Sequence, residues 1–246
     1  MDHRVILVAF YFFVIHKGSS QDMKRTEDGK HSYDLVVILP KDNMFEFSLS
    51  RILPGINIAA ESKRVKDIVP NIVFNVMGAD SGCDTKTAPL VAIDTMINKT
   101  VDAFLGPVCD YAAAPIARYA NHWKKPVITA GGQARAFINK HEYFITRTFL
   151  VYSKTGEALA DIVADELGFN QHLLIYRYDP NDITQKDCFF ITNGFHDAYM
   201  KKINNFDIQV EWFREEDHDF KHDILKYMIY DTRGMLSYSV FKISPF

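Results

Sequence analysis

The sequence predicts an α/β protein with doubly wound, mainly parallel sheets, and three observations carry that expectation. Apolar runs of strand length alternate with amphipathic stretches of helical length. That order builds a parallel sheet with right-handed crossovers and helices on both faces. The first run, Tyr33–Pro40 (YDLVVILP), is apolar apart from Asp34 and ends in proline, as in a strand buried on both faces. The composition, 48% hydrophobic and 24% charged over 246 residues, is that of a globular protein; it excludes wholesale disorder, collagen and coiled coil.

The elements follow in order. After the first strand, Ser48 or Ser50 is expected to cap a helix with Ile52, Ile56, Ala59 and Ala60 on one side and Pro54 near its tolerated first turn. Asn71–Met77 reads as the second strand. Thr87–Ile97 reads as a helix whose Leu90, Val91, Ile93, Asp94 and Ile97 are spaced for an amphipathic face. Asp102–Leu105 is a short strand, Ala112–His122 an alanine-rich helix, and Pro126–Thr129 and Phe144–Arg147 further strands. Lys154–Leu167 is an amphipathic helix closed by Gly168. The rhythm then repeats: strand His172–Tyr176, helix at about Asp187–Ile203, strand Ile208–Phe213 and helix at about Asp219–Ile229. Ligands of such folds sit beyond the carboxyl ends of the strands, so the loops there are where function is sought.

The N-terminus points to export. Arg4 precedes an apolar run from Val5 to Ile15, and Gly18, Ser19 and Ser20 follow it. A bilayer-spanning helix needs about 20 apolar residues, which this run does not reach, whereas a signal-peptide core is this short. Residues 1–20 are therefore expected to be a signal peptide and 21–32 a polar leader. Removing Asp2, Arg4 and Lys17 with the signal subtracts a net +1 from the formal charge of -3 and leaves -4. That balance gives no electrostatic reason to expect a nucleic-acid partner. In an extracellular setting disulfides are permitted, and Asn98-Lys99-Thr100 becomes an N-glycosylation sequon.

Catalytic and cofactor motifs are largely missing. There is no G-x-S-x-G elbow, no H-E-x-x-H, and no glycine-rich phosphate loop after the first strand. His218 and His222 stand four residues apart among acidic neighbours. Those letters also describe the solvated start of a helix, the reading preferred here, so no metal site is expected. Cys83 follows the second strand and Cys109 the third. Loops at the ends of neighbouring parallel strands lie side by side, so the two cysteines can meet; two separate buried thiols are the alternative. Cys188 is left over, as a free thiol, an interchain partner or half of a bridge whose mate lies elsewhere.

The stretch GPVCDYAAAPIARYANHW (106–123) resembles the signature of the natriuretic peptide receptors, which include the clearance receptor and the receptor guanylyl cyclases. Residues 39–59, 86–94, 140–148 and 173–195 add further matches, and the similarity runs from about Tyr33 to Phe213. The resemblance implies a type I periplasmic-binding-protein-like ectodomain in two lobes, 33–150 and 151–246, the second incomplete. It also implies a non-enzymatic role as an extracellular peptide-hormone-binding module, truncated before any membrane span. By the same resemblance Cys83 and Cys109 form a disulfide. Ser81, Val108 and Cys109 fall near positions that hold a chloride ion through hydroxyl and backbone N–H groups. Tyr111, Arg118, Glu142, Tyr143, Tyr176, Tyr178, Phe189 and Phe190 match positions of hormone contact or its support.

Read from their own chemistry, the aromatic members supply large contact area at low entropic cost, and Glu142 suits an arginine of a ligand. An Arg118–Glu142 structural ion pair and a core role for Phe189 and Phe190 remain open alternatives. A family acidic position appears here as Asn193. The expected partner is a peptide hormone, with self-association as a homodimer or association with full-length receptor as a second role. A non-binding fragment and a small-molecule-sensing lobe of the same fold are the competing readings.

Overall fold

The computed structural model describes residues 24–149, 151–168, 171–177, 187–202, 207–213 and 238–240. They divide into two compact units. The first holds the described residues up to Gly132 with Phe137–Phe149, and the second Gln133–Ala136 with the described residues from 151 onward. The signal-peptide reading of 1–20, the helix at about Asp219–Ile229, and His218 and His222 lie outside the described residues.

The first unit is a five-stranded sheet in the order β2-β1-β3-β4-β5, with β1 His31–Leu39, β2 Ile72–Asp80, β3 Ala103–Leu105, β4 Val127–Thr129 and β5 Ile145–Arg147. Every pairing is parallel. β1 lies between β2 and β3, with Val36 opposite both Met77 and Phe104. Its six residues from Asp34 to Leu39 are all buried, which is why this segment reads as continuous apolar sequence. β2 pairs on one side only, and none of its residues is fully buried, as befits an edge.

Four helices serve this sheet: α1 Leu49–Glu61, α2 Lys63–Ile68, α3 Thr87–Asn98 and α4 Asp110–Trp123. α4 buries Ala112, Ala113, Ile116, Ala117 and Ala120, a face of small side chains that lets the helix lie close to its neighbours. Several sequence expectations are corrected here. In α1 no residue is fully buried, and its inward side is Leu49, Leu53, Ile56 and Ala60. Pro54 lies inside the helix. Ser48 does hold the N-cap position, but its side chain makes no capping bond; its hydroxyl meets Asn43 and Ser50 instead. In α3 the buried face is Ala88, Pro89 and Ala92, while Leu90 and Ile97 point outward, 59% and 75% exposed. Close approach selects small residues for the inner face, a requirement that hydrophobic spacing does not register. The polar stretch before β1 is also less detached than a leader would be. Lys24–Lys30 turns back so that Arg25 bridges to His31, and Lys24 Nζ meets Asp34 Oδ2 at 2.7 Å.

The second unit holds a parallel three-stranded sheet in the order β7-β6-β8, with β6 Gln171–Arg177, β7 Asp207–Phe213 and β8 Tyr238–Val240. Among its described residues are the α-helices α5 Tyr152–Asp161 and α6 Asp187–Met200. The expected unbroken helix to Leu167 instead ends in a π turn over Ile162–Glu166, and Gly168 follows in the left-handed region at φ +65°. α5 and α6 cross at two glycines: a Cβ on Gly156 would lie 2.2 Å from the Gly194 carbonyl carbon. Ala160, Phe195, Ala198 and Tyr199 form the core beside that crossing.

Candidate functional site

At the carboxyl ends of β1–β4 the loops are tied together tightly. Cys83 and Cys109 form a disulfide with a Cα–Cα distance of 5.7 Å, joining the loops after β2 and β3. Gly106, at φ +89°, brings the β3–α4 loop against β1, where a Cβ would lie 2.3 Å from the Ile38 carbonyl oxygen. The Thr129 hydroxyl donates to the Pro107 carbonyl at 2.6 Å and accepts from the Gly131 amide at 2.9 Å. Thr129 was not among the expected site residues, although a threonine closing a buried strand two residues before Gly131-Gly132 is a recognisable loop anchor. Ser81 is buried, and its hydroxyl accepts from the Cys83 amide at 3.1 Å, so its own hydrogen is the donor it can offer.

A second cluster lies along the side of α4. Tyr111 and Arg118 are seven residues apart, hence on one helical stripe about 10 Å apart. Tyr111 is 41% exposed. Arg118 Nε donates to Glu142 Oε1 at 2.6 Å, its Nη2 donates to the Tyr143 hydroxyl at 2.6 Å, and its guanidinium carbon lies 4.9 Å from the Tyr143 ring centroid. The hydrogen bond to Glu142 is the leading cause that raises the Arg118 guanidinium above its ordinary value, with burial opposing it. The structural ion pair anticipated from sequence is therefore present, and both of its side chains are about half exposed.

Tyr143 itself is only 4% exposed. Its ring sits edge-on to Phe137 with centroids 5.0 Å apart, so it supports Arg118 and Glu142 from beneath. The loop that carries Glu142 is laced to α4. Asn121 Nδ2 donates to the His141 carbonyl at 2.7 Å, and the Phe144 amide to the Ala117 carbonyl at 3.1 Å. The Asn139 side chain accepts from the His141 amide at 3.2 Å, a turn in which asparagine bonds the backbone two residues on. Asn121 and Asn139 were missed in the sequence; only the turn-forming asparagine before His-Glu-Tyr could have signalled them.

In the second unit, α6 presents Phe189, 37% exposed, and half-buried Phe190, which stacks on Tyr152 at 6.4 Å. The two phenylalanines meet edge-on at 5.5 Å, so Phe190 is part of the packing and Phe189 faces solvent. Asn193 is exposed on the same helix. Tyr176 pairs with Trp212 across β6 and β7, and Cys188 is the second residue of α6; the side chains of both, and all of Tyr178, lie outside the described residues. Arg118, Glu142 and Tyr143 thus form one group with Tyr111 further along the helix, and Phe189 and Phe190 form another in the second unit. Among the described residues no group of three or more His, Cys, Asp or Glu is placed to hold a metal ion, and no helix is long and apolar enough to cross a membrane.

Residues 52–209 match the family described as receptor family ligand binding region. Atrial natriuretic peptide receptor 3 of Mus musculus is 30% identical over 183 residues, which cover 69% of this chain and 32% of that protein. Atrial natriuretic peptide receptor 2 of Anguilla japonica is 36% identical over 141 residues, covering 54% and 13%. The chain thus spans about a third or less of the length of these relatives. Among solved structures, the leucine binding protein LivK of Thermotoga maritima superposes with a TM-score of 0.59 at 21% identity, over 80% of this chain and 53% of that one. LivJ of Streptococcus pneumoniae gives 0.58 at 15% identity, over 81% and 55%. The fold is that of the type I periplasmic binding proteins.

Proposed function

The chain belongs to the receptor family ligand binding region, and from that premise we propose that it is an extracellular module that binds a peptide hormone of the natriuretic type. The observation that carries this reading is the exposed Arg118–Glu142 pair seated on buried Tyr143, within a chain whose sequence relatives are atrial natriuretic peptide receptors. A carboxylate offers about four lone-pair sites, and Arg118 Nε occupies one of them. Glu142 can therefore accept a charge-assisted bond from a basic residue of the peptide while Arg118 keeps it oriented. Tyr111 adds an aromatic surface on the same helical stripe. The proposed binding involves no covalent chemistry on the peptide.

We also propose that the turn at Ser81, Val108 and Cys109 takes a chloride ion. The buried Ser81 hydroxyl supports this, because it accepts from Cys83 N–H and so has its hydrogen to give. The disulfide holds Cys109 beside it. Such an ion would brace the two loops whose ends the disulfide already joins, and the start of α4 with them.

A natriuretic peptide carrying a photoreactive residue, cross-linked to the secreted chain and mapped by mass spectrometry, tests where the peptide lies. Labels within 111–118 and 139–144 are expected. Labels confined to other surfaces would remove this site.

A further inference from the structure

Asn98 closes α3 and is exposed, and the next residue, Lys99, is extended at φ -140° and ψ 162°. The third residue of the sequon is differently placed. The Thr100 hydroxyl donates to Asp34 Oδ2 and accepts from Lys24 Nζ, and Asn75 Nδ2 donates to the same buried carboxylate at 2.8 Å. Beside Asn98, the outer face of α3 carries Leu90, Asp94 and Ile97, with both apolar side chains largely in solvent. Residues at positions 90, 94 and 97 share one helical face, and Asn98, four after Asp94, flanks it. Helical side chains lean toward the helix N-terminus, so a group attached to Asn98 would run back along that face.

We propose that Asn98 carries an N-linked glycan, added before Thr100 docks on Asp34, and that this glycan covers the apolar face of α3. The inference rests on the extracellular reading above. In the reaction the Asn98 amide nitrogen bonds to the anomeric carbon of a lipid-pyrophosphate-linked oligosaccharide from the secretory pathway. The anomeric C–O bond breaks, the lipid pyrophosphate leaves, and the amide gives up one proton. The sequon hydroxyl must be free while this happens, yet in the folded chain it is engaged at both its donor and acceptor sides. Transfer therefore belongs to the unfolded or partly folded chain. Afterwards the same hydroxyl joins the polar cluster under β1.

The test expresses the full chain in secreting animal cells with an independent sequon tag at its C-terminus, which reports entry into the lumen. The expected result is a glycosylated tag together with a glycan at Asn98 that is released by peptide N-glycosidase, retained in Thr100→Ser and lost in Asn98→Gln. Trimming the glycan enzymatically on the native protein should raise binding of a hydrophobic dye several-fold, and Ile97→Lys should suppress that rise. A glycosylated tag with a bare Asn98 overturns the proposal and leaves the extracellular reading standing. An unmodified tag overturns both. A glycan whose removal leaves dye binding unchanged overturns the covering role, and efficient modification of chain that has already folded overturns the order of events.

Discussion

Arg118 grips Tyr143 twice, donating to its hydroxyl at 2.6 Å while the guanidinium carbon lies 4.9 Å from the ring centroid. The phenol is buried and the guanidinium half exposed, so a fixed base carries a charged tip, and that tip orients Glu142.

Arg118→Lys keeps the charge but loses the planar fork that serves Glu142 and Tyr143 together. Peptide affinity is expected to fall about tenfold, equivalent to about 1.4 kcal/mol. Stability should change by no more than about 1 kcal/mol, as for a surface ion pair. Titration calorimetry and urea denaturation on the same preparation check the two halves of this expectation.

The disulfide between Cys83 and Cys109 closes a span of 26 residues, worth about 3.5 kcal/mol on the chain-entropy estimate. Replacing both cysteines by alanine should lower the denaturation midpoint accordingly and leave the transition cooperative. An unchanged midpoint would show that the bridge adds nothing to the fold.

Asp34 carries an acid-sensitive part of the stability. Burial works to raise its carboxyl, but hydrogen bonds from Lys24, Thr100 and Asn75 together hold it below its ordinary 3.8. A group depressed in the folded state stabilises fully above its unfolded value and loses that contribution as the pH falls through the folded one. Stability should therefore drop from about pH 4 downward, and Asp34→Asn should flatten that acid limb while lowering stability at neutral pH. Equal acid limbs in the two proteins would contradict the assignment.

Gly156→Ala tests the helix crossing of the second unit. Its Cβ would meet Gly194 backbone at 2.2 Å, and overpacking of this kind costs about 1–3 kcal/mol. Limited proteolysis should become faster within residues 151–202, with the sheet of the first unit unaffected.

Much of this architecture was legible beforehand because it follows from local rules. β1 is a central strand and therefore continuously apolar. The cysteines do meet, but not at the ends of neighbouring strands as expected: β2 and β3 flank β1, and the bridge spans the end of the strand between them. The outward turn of Leu90 and Ile97 was not legible, since it depends on how closely α3 approaches its neighbours. The link from Arg118 to Glu142 spans 24 residues and has no periodicity to reveal it; only the family resemblance associates the two residues. The burial of Tyr143 was likewise invisible, because a tyrosine in a loop carries no sign of which end lies in the core.

The most direct test is titration calorimetry of a natriuretic-type peptide into the purified, secreted chain, run beside Glu142→Ala. A saturable exotherm that weakens at least tenfold in the variant is predicted. No binding by a chain that retains its disulfide and a cooperative unfolding transition would contradict the account.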